Sequence, residues 1–218
     1  MSRVLLRLRK GEEVKYLSHR DVIRTFEFAL RRARIPVAYS AGFNPRPRMS
    51  FGSAVGVGVT SDDERIVLEL GSPEDPSDVK EKMNSQLPSG LAVLEAEAVP
   101  DEGRRGGSSD LGGSQFQITV TGDPLAIDRA IRELFESTEV RVVRVREGVT
   151  KEVDIRPHLL QADIVKSEEG CVSIQVSLGL GHSGGARPQD FVQALSDKVP
   201  NLNVRRIHRL KQFRASGS

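Results

Sequence analysis

The chain of 218 residues has little sulfur and few aromatic rings: one cysteine, no tryptophan, two tyrosines and eight phenylalanines. The single cysteine, Cys171, excludes an internal disulfide and any zinc or iron–sulfur site that needs several cysteines of one chain. Because rings are scarce, the core must consist mainly of Val, Ile, Leu and Ala. A local concentration of aromatic residues therefore needs an explanation of its own.

Long apolar runs are also missing. No stretch approaches the roughly 20 apolar residues that span a bilayer, and the first residues lack the charged and then apolar pattern of a signal peptide. The four histidines do not have the short or helical spacing of metal ligands. We therefore expect a cytoplasmic protein with no membrane association, no metal and no cofactor of its own.

The small net charge of +2 conceals a strong segregation of charge along the chain. Residues 1–60 contain twelve Lys and Arg against four Asp and Glu, a net charge of +8, whereas residues 61–103 contain three against twelve, a net charge of −9. The last fifteen residues contain five basic residues and no acidic one. If the fold joins the two ends of the chain, a positive face results that attracts phosphate or an acidic partner. The alternative is that the acidic and basic blocks neutralise each other.

The first half of the chain alternates between strand and helix patterns. Ser18 followed by Asp21 resembles a capping box, and it begins a helix with an apolar stripe that ends before Pro36. Asp75 and Pro76 begin a second helix. Strand patterns are present at residues 3–9, 37–40, 65–70 and 91–99. The order is β-α-β-β-α-β, which is the ferredoxin-like pattern.

The second half repeats this order after a stretch rich in Gly and Ser. Residues 100–115 have no apolar periodicity and are predicted to be a flexible linker. Residues 147–170 are interpreted as an insertion or as an extra strand and turn. The sequence therefore predicts an α+β protein with two tandem ferredoxin-like domains, at residues 1–99 and 116–218.

The stretch from Tyr39 to Gly52 is the strongest candidate for a functional loop. It holds three of the ten aromatic residues, two arginines and two prolines. We interpret Phe43 as a stacking surface for a nucleobase, and Phe51 as a core residue. The predicted contacts to phosphate from this loop are made by Asn44, Arg46 and Arg48.

The helix before this loop carries arginines at intervals of three and four residues, opposite its apolar stripe. Arg20, Arg24 and Arg31 share one face with Arg34 and a single carboxylate, Glu27. A solvated polar face is the alternative interpretation. The excess of positive charge favours binding of RNA by Arg20, Arg24 and Arg31.

A glycine-rich segment at residues 179–188 contains G-x-G-x-x-G between a predicted strand and a predicted helix. Gly181, His182 and Arg187 are candidates for binding an anion, because backbone N–H groups at a helix start attract negative charge. It is a weak dinucleotide motif, since the segment that follows ends in basic Arg205 and Arg206. A phosphate site for RNA and a plain flexible turn both remain open.

Histidine provides the one candidate for catalysis. His19 lies in the first turn of the arginine-lined helix, and an imidazole that titrates near neutral pH can act in general acid–base cleavage of RNA. The alternative is that His19 is a surface or cap residue. No Ser-His-Asp order and no carboxylate pair is present, so we expect a non-catalytic protein.

A family resemblance lies in residues 16–21, 31–48 and 57–61, and more loosely in residues 151–157 and 187–188. In these segments the chain resembles a bacterial family of unknown function whose members are encoded beside, or fused to, radical SAM proteins. It implies a cytoplasmic partner of a radical SAM enzyme, and it carries no catalytic residues. Arg20 stands where family members often have Leu, and Arg46 where they often have His. Any iron–sulfur cluster would have to belong to the partner.

The tandem ferredoxin-like pattern with an arginine helix and a glycine-rich loop is also similar to the RNA-processing endonucleases of CRISPR systems. That likeness implies an RNA ligand and His19 as a cleavage residue. The leading hypothesis is a non-catalytic subunit that binds RNA or presents a substrate to a radical SAM enzyme. The alternatives are a metal-independent endoribonuclease or RNA-modifying enzyme, and a protein scaffold.

Overall fold

The structure, a computed structural model, describes residues 2–100, 111–146, 148–168, 170–180 and 185–214. It divides into two compact units, Met1–Asp110 and Leu111–Ser218. The described part is a mixed α/β structure with mainly antiparallel strand pairing and four α-helices. Within these ranges, no helix has both the length and the apolar character needed to cross a membrane.

The first unit packs helices against an antiparallel sheet. The elements of this unit are β1 (Ser2–Lys10), α1 (His19–Arg32), β2 (Met49–Phe51), β3 (Thr60–Leu70), α2 (Pro76–Asn84) and β4 (Leu91–Val99). The strands lie in the order β4-β1-β3, and the short β2 adds to β3. A 3₁₀ turn at Glu12–Val14 follows β1.

Helix α1 shows how the sequence positions one buried and one exposed face. Ser18 Oγ accepts from the Asp21 N–H, and the Asp21 carboxylate accepts from the Ser18 N–H, which confirms the predicted capping box. Phe26, Ala29 and Leu30 are fully buried against the alternating core residues of β1. Burying a large apolar side chain contributes about 1.5–3 kcal/mol. The apolar stripe therefore fixes the arginines on the solvent side.

The second unit has the same order of elements with an added hairpin. The elements are β5 (Leu111–Thr121), α3 (Pro124–Glu136), β6 (Arg141–Arg146), β7 (Val149–Asp154), β8 (Leu159–Glu168), β9 (Cys171–Gly179), α4 (Pro188–Ser196) and β10 (Asn203–Arg214). Its strands lie antiparallel in the order β10-β5-β9-β8, while β6 and β7 pair only with each other among the described strands. A 3₁₀ turn at Arg156–His158 precedes β8.

The predicted second strand at residues 37–40 is wrong in position. That segment makes only isolated bridges, Val37 with Leu70 and Tyr39 with Pro47. The strand that joins β3 is Met49–Phe51, which follows the proline pair. Proline cannot donate a ladder hydrogen bond, so regular pairing begins only after Pro47.

Two other expectations change in the second unit. Residues 111–115, which the sequence placed in the linker, belong to β5, and a Cβ at Gly113 would lie 2.3 Å from the Leu178 carbonyl oxygen. Gly113 is therefore required by the close approach of β5 and β9, although a glycine at this position also resembles the composition of a linker. Residues 101–110 lie outside the described residues. The unassigned region at residues 147–170 contains β7 and β8.

Candidate nucleic-acid interface

The outer face of α1 carries three arginines that we call the arginine face: Arg20, Arg24 and Arg31. All three are exposed. None of the three guanidinium groups has a hydrogen bond or an ion pair to another residue in the part of the chain that the structure describes. Hydrogen bonds from Ser18 lower the pKa of Asp21, and the charge of Arg24 adds to that effect. The arginine face is therefore a concentration of positive charge with little protein counter-charge.

Phe28 is a residue of this face that the sequence reasoning missed. It lies four residues after Arg24 and three before Arg31, so the three side chains are neighbours on the helix surface. Its side chain is 59% exposed. The signal was present in the sequence, because Phe28 does not fall on the apolar stripe occupied by Phe26, Ala29 and Leu30.

Arg34 ends α1 in an unusual conformation for a side chain with a Cβ. Its φ is +53°, the left-handed region in which glycine is favoured. The Ile35 N–H donates to the Leu30 carbonyl at 3.3 Å and the Arg34 N–H donates to the Arg31 carbonyl at 3.2 Å, which is the Schellman pattern. Arg34 is exposed, so it adds a further positive charge at the end of the arginine face.

Residues 39–48, which we call the aromatic loop, form a turn held by hydrogen bonds across its base. The Ser40 N–H donates to the Arg46 carbonyl at 2.9 Å, and the Arg46 N–H donates to Ser40 Oγ at 3.0 Å. Gly42 has a φ of +125°, which explains a glycine at the tip. Phe43 beside it is fully exposed. The loop therefore presents a phenyl ring to solvent on a hydrogen-bonded base.

The two arginines of the aromatic loop differ in their surroundings. Arg48 Nη1 lies 3.1 Å from Glu69 Oε2, and the Arg48 backbone is hydrogen-bonded to Ala38 and Glu69. Arg46 is exposed and its side chain has no ion pair within the described ranges. Asn44 is exposed beside it. Arg46 is therefore the better placed of the two for a phosphate, because Glu69 already neutralises much of the charge of Arg48.

Phe51 is a structural residue, as the sequence predicted. Its ring meets Phe26 edge-on with centroids 6.2 Å apart, and it packs against the buried core of the first unit. The His19 ring also meets Phe51 in a T-shaped arrangement, with centroids 5.1 Å apart. The imidazole is exposed but has a packing partner, so a structural role accounts for part of its placement.

A small cleft lies beside His19 at the start of α1. Its polar lining residues are Arg9, Lys10, His19 and Glu64, and its volume of about 10 Å³ is room for one water molecule. Lys10 is 3% exposed and its Nζ donates to the Leu17 carbonyl at 3.0 Å. Burial lowers the pKa of the Lys10 ammonium below 10.5, and the charge of Glu64 partly offsets this. The described residues contain no cluster of three or more His, Cys, Asp or Glu able to hold a metal.

The glycine-rich segment is only partly within the described residues. Gly181 and His182 lie outside them. Arg187 is exposed, and its N–H donates to the Asp190 carboxylate at 2.6 Å. A Cβ at Gly185 would lie 2.0 Å from the Gly179 carbonyl oxygen, so close backbone packing requires this glycine.

Asp190 also forms a nearly buried ion pair with Arg144 of β6. The guanidinium donates to both carboxylate oxygens at 3.1 and 2.6 Å and to the Gly185 carbonyl at 2.7 Å. A protein carboxylate thus already occupies the start of α4. This geometry favours a structural role for that helix start over an anion site.

A family model described as an uncharacterized protein conserved in bacteria (DUF2344) matches residues 3–201. The chain belongs to this family. The matched region includes α1, the aromatic loop and both ends of the Arg144–Asp190 pair. No curated protein matches the chain.

Two solved structures are similar to the DUF2344 chain in fold. One is a chain of an H/ACA RNP bound to a substrate RNA containing 2′-deoxyuridine, with a TM-score of 0.51 and 12% identity over 94% of this chain and 46% of that one. The other is a chain of a Cbf5-Nop10-Gar1 complex, with a TM-score of 0.51 and 10% identity over 98% of this chain and 50% of that one. The DUF2344 chain therefore spans about half the length of these chains.

Proposed function

We propose that this DUF2344 protein is a non-catalytic RNA-binding subunit that works with a radical SAM enzyme. The observation that carries the RNA proposal is the arginine face. Three guanidinium groups on one side of α1 have no ion-pair partner within the described residues, and Arg46 gives a fourth such group on the aromatic loop. Phosphates are their natural counter-charges, since arginine donates to phosphate in a bidentate manner.

The fold gives weaker support. Each unit has the element order β-α-β-β-α-β, and we infer that the two are tandem ferredoxin-like domains, with β6 and β7 as an insertion in the second. One structural neighbour is described as bound to a substrate RNA. A shared fold does not fix a shared ligand, so the charges of α1 are the main support for RNA binding.

The test is the salt dependence of RNA binding. A fluorescein-labelled RNA with a hairpin and a single-stranded tail is titrated with the full chain between 50 and 300 mM salt. Each phosphate contact contributes about 0.7–0.9 to the slope of log K against log salt. We expect the triple variant Arg20→Ala, Arg24→Ala, Arg31→Ala to bind more weakly and to reduce the slope by about 2 to 3.

The matched control is the double variant Arg129→Ala, Arg132→Ala, which removes two exposed arginines from α3 of the second unit. We expect its slope to equal that of the parent protein. Absence of RNA binding at low salt would sink the proposal. If an acidic peptide binds the arginine face and RNA does not, the protein is a scaffold.

The radical SAM partner is a separate part of the proposal and rests on the sequence resemblance of residues 16–21, 31–48 and 57–61. Membership of a bacterial family is compatible with it. We expect the purified chain to co-elute in size-exclusion chromatography with a radical SAM protein of the same genome. Independent elution at micromolar concentrations of both proteins would count against the partnership.

The cleft beside His19 keeps one enzymatic alternative open, a metal-independent endoribonuclease. Lys10, His19 and Glu64 bring an amine, an imidazole and a carboxylate to one place, which are groups of the kind that general acid–base catalysis uses. RNA cleavage that persists in chelator and is lost in His19→Ala would replace the non-catalytic proposal. Intact RNA after prolonged incubation with the parent protein would exclude this alternative.

A further inference from the structure

Exposed aromatic rings are unevenly distributed between the two units. Among the described residues, the exposed Phe and Tyr side chains are Tyr16, Phe28, Tyr39 and Phe43, and all four belong to the first unit. The exposed large apolar side chains of the second unit are all Leu or Val. Exposed rings therefore occur in the same unit as the arginine face and the aromatic loop.

Phe28 stands among cations on α1. Arg24, Arg31 and Arg32 are its neighbours at intervals of three and four residues. A helix stabilised only by its buried stripe has no need of a large apolar ring at this position, because the stripe already supplies Phe26, Ala29 and Leu30. The ring and its charged neighbours instead form a surface for a ligand that has both flat apolar faces and negative charge.

Phe43 stands on a preorganised support. Hydrogen bonds between Ser40 and Arg46 close the base of the turn, and Pro45 and Pro47 restrict the backbone. A loop backbone held in this way loses little conformational entropy on binding. Asn44 and Arg46 follow Phe43 closely in the sequence, so they can make polar contacts to the same ligand.

We propose that the RNA bound by the first unit is single-stranded, with unpaired bases stacked on Phe28 and Phe43 and phosphates held by the arginine face and Arg46. This inference rests on the proposed RNA binding and specifies its ligand class. Single strands expose the faces of their bases, and aromatic side chains recognise these faces. In an A-form duplex the bases are stacked on one another, so a protein contacts mainly phosphates and 2′-hydroxyls.

The experiment compares an unstructured oligouridine with a blunt RNA duplex of equal length, each titrated with the full chain at several salt concentrations. We expect tighter binding of the single strand. Phe28→Ala and Phe43→Ala should each weaken single-strand binding by about 5- to 150-fold, the equivalent of one lost stacking contact. Neither substitution should change the salt slope, because neither removes a charge.

Matched variants separate stacking from other effects. Phe43→Trp preserves a stacking surface and should retain affinity, whereas Phe43→Leu preserves apolar character and should not. Leu125→Ala removes an exposed apolar side chain from the second unit and should leave binding unchanged. The substituted residues are exposed, so the thermal midpoint should stay constant and exclude misfolding as the cause.

Each outcome has one meaning. Equal affinity for duplex and single strand, with no effect of Phe28→Ala or Phe43→Ala, overturns the single-strand inference and leaves RNA binding through the arginine face intact. Binding of neither RNA by the parent protein overturns the proposed function itself, and the inference with it. Single-strand preference that both alanine variants abolish supports the inference.

Discussion

Arg34 is a single residue whose backbone and side chain have opposite preferences. Its φ of +53° is sterically unfavourable for an L-residue, and glycine is the usual residue in this left-handed conformation at a helix end. Its side chain is exposed and lies at the end of the arginine face. The charge is thus kept at a position where stability alone favours glycine, which is consistent with a binding role for this end of α1.

We predict that Arg34→Gly stabilises the protein by about 0.5–1 kcal/mol and weakens RNA binding. The stability gain comes from removing the Cβ at a positive φ, and the loss of binding comes from removing one cation. Chemical denaturation and the salt titration measure the two effects. Asn201 of the second unit, with a φ of +59°, is the matched control. Asn201→Gly should stabilise without changing RNA affinity, and a loss of stability in Arg34→Gly would contradict this account.

At the scale of elements, the β6–β7 hairpin depends on side chains for its attachment, because its strands pair only with each other among the described strands. One face of the hairpin buries Val142 and directs Arg144 to Asp190 at the start of α4. The opposite face leaves Val143 and Val145 exposed. The ion pair therefore joins the inserted hairpin to the second unit and fixes the backbone around Gly185.

We predict that Arg144→Ala destabilises the protein by about 3–5 kcal/mol, because it leaves the nearly buried Asp190 carboxylate without its ion-pair partner. The control is Arg141→Ala on the same strand, whose ion pairs with Glu139 and Glu152 are exposed and contribute at most about 1 kcal/mol. Urea denaturation measures both. The double variant Arg144→Met, Asp190→Leu should recover much of the loss. If Arg144→Ala and Arg141→Ala lowered the free energy of unfolding equally, the Arg144–Asp190 ion pair would not be important for holding the hairpin in place.

At the scale of the whole molecule, the residues proposed to bind RNA are concentrated in the first unit. The arginine face, Arg46 and the exposed rings all belong to it. Anion binding by the glycine-rich segment of the second unit stays a prediction. Mapping the RNA contacts of Gly181, His182 and Arg187 would test it directly.

We predict that a photoreactive RNA bound to the full chain crosslinks mainly to residues 19–34 and 39–48. These segments contain the arginine face, Arg46 and three of the four exposed rings, so they should lie closest to the bound nucleotides. Mass spectrometry of the crosslinked peptides gives the positions. Additional crosslinks at residues 180–188 would show that the glycine-rich segment of the second unit also contacts RNA. Crosslinks confined to the second unit would contradict the assignment to α1 and the aromatic loop.

Much of the local structure could be predicted because it depends on local rules. The Ser18–Asp21 capping box and the apolar stripe of α1 are determined by neighbours within one or two turns. The misplaced second strand and the glycines of β5 were not predictable in this way. Pairing of Met49–Phe51 with β3, and the close approach of Gly113 to Leu178, depend on residues distant in sequence.

The sequence by itself determined that Arg20, Arg24 and Arg31 share a helix face, because the period of an α-helix and the burial of the opposite stripe leave no other arrangement. Only the tertiary structure decided which candidate groups are available. It pairs Arg48 with Glu69, packs Phe51 on Phe26 and leaves Phe28 and Phe43 exposed. The physical reason is that a side chain's counter-charge and its burial come from residues far away in the chain, which the periodicity of a single element does not encode.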